Sequence, residues 1–337
     1  MKLSLSFCLL LMASCANNPF KKDNTVKDPT PDQTIKTKWD LYCELSKPSF
    51  NEKGFVHGEC DGVLFTSLYA VACPNSGAKL EAFEYPDEPG RYSRDPQPEQ
   101  CWSESEQRAK DGNPNRSPTT DSRDGVAGRF IYWWSTKDLA AIKRAINYLK
   151  NNDWYLCPPE GAKDQATRFS RCFVNPSLRA TFYELAAHLG MDCDEGCKSA
   201  RAVPQIFSGT EDGFELHLLV LSILIRGTVQ GAINDNQVLL LKKAAQNNPG
   251  NALYLAVLHK FTDGDQTETL KLLGDEVVFP TETLPTSANY CTEYRYQRDQ
   301  FKSGQANPDW LPCVDTQESK SGTDFSFAAK ITLEDLD

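Results

Sequence analysis

The chain has 337 residues, with 46 acidic side chains against 36 Lys and Arg, so its formal net charge is −10. An acidic body of this kind argues against nucleic acid as a partner and against electrostatic attachment to anionic lipid. The length is sufficient to bury a sizeable hydrophobic core.

The first fifteen residues predict export. Lys2 precedes an apolar run from Leu3 to Met12, and the stretch "LMASC" ends at Cys15. The run is too short for a permanent span, which needs about 20 apolar residues, and is typical of a cleaved signal peptide over 1–14. Its end resembles the lipobox of bacterial lipoproteins, with Met12 where that pattern prefers Leu. The resemblance implies a lipid on Cys15 and, with Ala16 next, an outer-membrane location, on either the periplasmic or the surface side. The alternative is an ordinary secretory signal.

Residues 15–38 follow as the predicted lipidated cysteine and a flexible tether, because this segment is polar and has few apolar side chains. The alternative is an ordered arm packed on the domain. From 39 to 337 the chain is predicted to form one globular domain. Within it, the polar and proline-rich segment 84–122 predicts a long loop region, and long loops inside compact domains are often binding loops.

Ten cysteines remain after Cys8 and Cys15 are set aside. An even number in an exported chain predicts up to five disulfides rather than a metal site. Cys193 and Cys197 flank the turn-like "DEG" and are the expected local bridge. A straight helix between Cys60 and Cys73 would hold them roughly 20 Å apart and exclude their pairing. The full set is Cys43, Cys60, Cys73, Cys101, Cys157, Cys172, Cys193, Cys197, Cys291 and Cys313.

Helical periodicity dominates the rest of the chain. Thr136 is the expected N-cap of a helix within 135–152, and Ser177 that of a helix within 176–190 that stops at Gly190. The later helices are expected at 214–226, 236–247, 251–261 and 266–273, whereas "DFSFAAKITLEDL" fits a helix or a strand. The sequence therefore predicts a mainly α fold: a single, large, disulfide-stapled domain of ten or more helices joined as hairpins.

Two helix starts echo each other. "CDGVLFTSLY" and "RDGVAGRFIY" share Asp-Gly-Val and place Asp61 and Asp124 at equivalent positions. Facing one cleft, these carboxylates could act as the general acid and base of glycoside hydrolysis. Aromatic side chains would stack on sugars and arginines would bind acidic groups on a glycan: Tyr132, Trp133, Trp134, Trp102, Arg123 and Arg94. The alternative is packing, because Asp in a first helical turn needs no function, Gly125 and Gly128 suit a tight helix contact, and one of two adjacent tryptophans belongs in the core.

In layout and in its acid-bearing helix starts, the chain resembles the α/α-toroid enzymes that act on polysaccharides. The resemblance implies a glycan-binding or glycan-cleaving envelope protein, and a hydrolase or lyase if the protein is an enzyme at all. The alternative is a non-catalytic lipoprotein that holds a protein partner. No cofactor or metal is expected, His217 is expected in the core, and the membrane is contacted through the N-terminal lipid.

Overall fold

The computed structural model describes residues 30–46, 62–93, 121–156, 173–202, 213–247, 251–262, 264–275, 323–334 and 336. Several sequence predictions fall outside these ranges. They are the signal peptide, the lipidated Cys15, Asp61, Arg94, Trp102 and the cysteines at 60, 101, 157, 172, 291 and 313.

The described chain is built from α-helices, which confirms the all-α prediction. Its only β structure consists of two isolated bridges, Glu84 with Tyr92 and Tyr155 with Phe173. The final segment, open between helix and strand in the sequence, is a helix. In chain order the helices are α1 (Pro31–Ser46), α2 (Gly62–Ala72), α3 (Arg123–Thr136), α4 (Leu139–Asn151), α5 (Pro176–His188), α6 (Glu195–Arg201), α7 (Gly213–Gln230), α8 (Asp235–Asn247), α9 (Ala252–Thr262), α10 (Thr267–Gly274) and α11 (Thr323–Leu333). A toroidal arrangement of these helices stays a prediction.

Helix α1 begins inside the segment predicted as a tether and matches the alternative of an ordered arm. It begins at Pro31, so residues 31–38 are helical rather than part of a tether. Ile35, Trp39 and Tyr42 are buried at i, i+4 and i+7, a spacing that places them on one face of a helix. The part of this pattern that precedes Trp39 consists of Ile35 alone among polar residues, so the sequence did not predict a helix there.

Two expected caps are wrong by two residues. The N-cap of α4 is Asp138, whose side chain accepts a hydrogen bond from the Ala141 amide. Thr136 instead ends α3, because Lys137 adopts a left-handed conformation there. The N-cap of α5 is Asn175 rather than Ser177. Pro176 follows it at the first helical position, where proline's fixed φ suits a helix start.

The helices bury two hydrophobic clusters. The first cluster lies among α1, α2 and α7–α11, and the second among α3–α6 and the segment 80–92. Helices α2 and α3 contribute side chains to both. Their contact is close at Gly128, where an added Cβ would lie 2.9 Å from Leu64 Cα. The expected close helix packing at this glycine is therefore confirmed.

Two disulfides staple the described chain. Cys43 pairs with Cys73 and joins α1 to the end of α2, while Cys193 pairs with Cys197 as expected from the intervening turn. In the ranges given above, none of the helices combines the length and the apolar character needed to cross a membrane.

Candidate functional site

The start of α3 carries Asp124, the carboxylate singled out in the sequence. Ser122 is the N-cap and accepts a hydrogen bond from the Gly125 amide at 3.2 Å. Asp124 lies in the first turn and is partly buried. Its expected position at a helix start is confirmed. Its predicted catalytic partner, Asp61, lies outside the described residues.

The fully buried acid of this region is Asp121. Its carboxylate forms an ion pair with the Arg129 guanidinium, and both side chains are only 2% exposed. Asp121 also accepts a hydrogen bond from the Ser122 amide at 2.8 Å. The guanidinium lies 4.3 Å from the ring centroid of Tyr92 and 5.1 Å from that of Trp133. This sealed cluster fixes the entry into α3.

The aromatic residues of α3 face the interior. Trp133 is 1% exposed, and Tyr132 and Trp134 are also buried. The ring of Trp133 lies 6.1 Å from that of Phe182, centroid to centroid. The Trp134 indole donates a hydrogen bond to the Leu336 carbonyl oxygen at 2.7 Å. These rings pack the second cluster and tie down the end of the chain, so a sugar could stack on them only if the core opened.

A second ionic cluster holds the start of the predicted loop region against α4. Glu84 accepts two hydrogen bonds from Arg144, each 2.8 Å long, and a third from the Gly90 amide, also 2.8 Å. Burial alone would raise the pKa of Glu84, but these hydrogen bonds outweigh it and lower that pKa below its usual range. Gly90 has φ +92°, and a side chain there would collide with the Arg144 backbone. Residues 84–93 are thus fixed on the domain.

Buried polar pairs also join the helices elsewhere. Arg226 of α7 donates two hydrogen bonds to Glu184 of α5, at 2.8 and 2.7 Å. His217 is 1% exposed, as expected for a core residue, and its Nε2 lies 3.5 Å from an Asp324 carboxylate oxygen. Across the described part of the chain, no group of three or more His, Cys, Asp or Glu side chains is placed to hold a metal ion.

An open pocket of about 200 Å³ lies on the other side of α4 and is called here the lysine pocket. Four of its lining residues recur at helical spacing along one face of α4. Tyr183 of α5 contributes to it, and Met191, Asp192 and Asp194 come from the turn between α5 and α6. The α4 residues are Lys143, Ile146, Asn147 and Lys150.

The turn that forms one wall of the pocket is held at several points. Gly190 has φ +98° and reverses the chain after α5. The Met191 amide then donates a hydrogen bond to the Ala186 carbonyl oxygen at 2.8 Å. Asp194 caps α6 by accepting from the Cys197 amide at 2.7 Å. Because Cys197 is also bonded to Cys193, the wall is cross-linked to the helix that follows it.

Some charged side chains of the pocket have an ion-pair partner and others do not. Lys150 Nζ lies 3.9 Å from the second oxygen of Asp194. Lys143 and Asp192 are exposed, and within the described ranges neither forms an ion pair. Tyr183 is 1% exposed, and its buried hydroxyl has no hydrogen-bond partner among the described residues.

Comparison of the chain with protein-family models, with curated proteins and with solved structures gives no match.

The lysine pocket was not predicted from the sequence. Lys143, Asn147 and Lys150 have the spacing of an ordinary solvent-facing helix stripe, and the turn that converts this stripe into a pocket lies about 40 residues further along.

Proposed function

We propose that this protein is an exported, lipid-anchored envelope protein that binds a glycan without cleaving it. The observation that carries the proposal is the lysine pocket, an open site lined by both polar and apolar side chains. Ile146 and Tyr183 are its buried lining residues. Small-molecule sites combine an apolar lining with a few convergent polar groups in this way.

The polar residues of the pocket have complementary roles toward sugar hydroxyls. The carboxylate of Asp192 accepts hydrogen bonds, the amide of Asn147 both donates and accepts, and the ammonium of Lys143 donates. A volume of about 200 Å³ equals that of roughly seven waters at ~30 Å³ each. Such a space suits one sugar ring, held at the end or on the side of a longer glycan.

Binding fits the described groups better than cleavage. Glycoside hydrolysis needs two carboxyl groups flanking the bond, one of them able to deliver a proton. In the lysine pocket, Asp194 is occupied by its helix cap and by Lys150. Asp124 belongs to a helix start packed against α2, where an added Cβ on Gly125 would collide with Val63. These positions support a binding protein.

A glycan array probed with the Cys15→Ala chain tests this function. Asn147→Trp places an indole over the exposed mouth of the pocket and should abolish binding. Asp124→Asn is the matched control and should leave binding unchanged. Neither the wild-type sequence at position 124 nor Asp124→Asn should release new reducing ends from the glycan. Binding that survives Asn147→Trp, or reducing ends that appear with wild type and vanish with Asp124→Asn, would refute the proposal.

The anchor is tested separately. We expect the wild-type chain in the membrane fraction and Cys15→Ala in the soluble fraction, because lipid on Cys15 is the only proposed membrane contact. A Cys15→Ala chain that stays with the membranes would contradict lipid anchoring and leave glycan binding to be judged on its own data.

A further inference from the structure

We propose that the lysine pocket selects an acidic sugar residue of the uronate type, with the sugar carboxylate on Lys143 and sugar hydroxyls on Asp192 and Asn147. This inference rests on the proposed glycan-binding function and adds the chemical class of the ligand. Its basis is the division of charge inside the pocket.

Lys150 and Asp194 largely neutralise each other, because their charged atoms lie 3.9 Å apart and Asp194 also caps α6. Lys143 and Asp192 are left as one cation and one anion without an ion-pair partner among the described residues. Lys143 lies seven residues before Lys150 on α4, which separates their Cα atoms by about 10 Å along the helix axis. The two cations therefore do not act as a single strong anion site.

One carboxylate surrounded by hydroxyls matches this arrangement. The carboxylate gives Lys143 the charged partner that it lacks, and neutral hydroxyls donate to Asp192. A neutral sugar would desolvate Lys143 without pairing it, which disfavours binding. A phosphate dianion carries a second negative charge for which the described lining of the pocket has no free cation besides Lys143, and the nearby carboxylate of Asp192 then lowers its affinity.

Calorimetric titration of the Cys15→Ala chain compares the methyl glycosides of glucuronate and galacturonate with those of glucose and galactose. We expect at least one uronate to bind about tenfold or more tightly than its neutral counterpart, since hydrogen bonds to charged groups are the stronger ones. Added salt should reduce that preference. Lys143→Gln should remove it, whereas Lys242→Gln, at an exposed position on α8, should retain it.

Tyr183→Phe is a control within the pocket lining. Because its hydroxyl is buried and has no hydrogen-bond partner among the described residues, its removal should leave both the melting temperature and the preference for uronate unchanged or higher. Equal affinity for acidic and neutral sugars, or tighter binding of inorganic phosphate than of any uronate, would overturn the inference and leave glycan binding intact. An array without any bound glycan would refute the proposed function as well.

Discussion

Ion pairs at the start of α3 and in the lysine pocket use the same side-chain chemistry in opposite settings. Asp121 and Arg129 are each 2% exposed, whereas Lys150 and Asp194 are 43% and 67% exposed. Removing one partner of a buried pair strongly lowers the stability of the fold, because the remaining charge stays uncompensated in a medium of low polarity. An exposed pair contributes little to stability, so its loss should leave the fold intact. Burial therefore assigns the first pair to the fold, whereas the second pair lies in the pocket that we propose as the binding site.

Breaking the sealed pair is expected to give the largest effect. Arg129→Met removes the guanidinium partner of the buried Asp121 carboxylate, and should lower the free energy of unfolding by about 3–5 kcal/mol, as measured by urea denaturation. Arg123→Met, on the same helix but only partly buried, is the matched control and should change it by less than about 0.5 kcal/mol. Similar losses in both variants would contradict the distinction between sealed and open charges.

The two disulfides sharpen the comparison, because one joins helices of the first cluster and the other braces the pocket wall. Cys43 and Cys73 are 30 residues apart, but Cys193 and Cys197 only 4. Loop-closure entropy then predicts losses of about 3.5 and about 2 kcal/mol when each pair is replaced by alanine. Thermal unfolding of the two double variants measures both losses.

The disulfide between Cys193 and Cys197 should also affect glycan affinity, whereas the disulfide between Cys43 and Cys73 should not. Replacement of Cys193 and Cys197 frees the turn over 191–194 and should weaken glycan binding, while replacement of Cys43 and Cys73 should leave affinity unchanged at temperatures where the chain is folded. The reverse order of affinities would break the assignment of the pocket wall.

Glu84 and Arg144 provide an intermediate case. Burial raises the pKa of Glu84, but the hydrogen bonds from Arg144 and Gly90 lower it by a larger amount. The folded pKa therefore lies below the ordinary value of 4.5. The stability from this group is therefore present above about pH 4.5 and is lost as pH falls through the folded pKa. Because Arg144 is 40% exposed, we expect less than about 1 kcal/mol.

Denaturation of wild type and Glu84→Gln at pH 7 and pH 3 measures this contribution. The difference between the two chains should be larger at pH 7. A difference that grows toward pH 3 would mean that the carboxylate is not stabilised by its partners.

The smallest effect on stability is expected in the pocket itself. Lys150→Gln removes an exposed cation that lies 3.9 Å from Asp194, and should change the free energy of unfolding by less than about 0.5 kcal/mol. Asp194→Ala removes the cap of α6 as well and should cost about 1 kcal/mol. A larger loss for Lys150→Gln than for Asp194→Ala would show that the exposed pair matters more than the cap.

The helices could be predicted because their apolar periodicity is local. The spacing of Ile142, Ile146 and Leu149 along α4 and the glycine after α5 are readable in short windows of sequence, and both were confirmed. The cap at Thr136 was wrong because the sequence does not show that Lys137 adopts a left-handed conformation. Asp138 is an equally good cap by residue type.

The candidate functional residues depend on contacts that no short stretch of sequence contains. Asp124 drew attention because its Asp-Gly-Val was repeated, whereas Asp121, three residues earlier, takes the buried position. Its partner Arg129 lies against Tyr92, 4.3 Å from the ring centroid, and this residue of a distant segment cannot be placed there from the sequence around α3. The lysine pocket is likewise formed by α4 together with α5 and the turn after it, and the polar stripe of α4 lines a pocket only because that turn lies beside it.

Helix α11 has a consequence for the order in which the protein can fold during synthesis. Phe325 stacks on Tyr42 at 4.5 Å between ring centroids, and Lys36 reaches Glu334 with Nζ 3.2 Å from its carboxylate. The first described helix can therefore complete its packing only after residues nearly 300 positions later have left the ribosome. Until then its apolar face has no complete binding surface, which exposes the growing chain to aggregation. A nascent chain released before residue 323 would lack the helix that closes the first cluster.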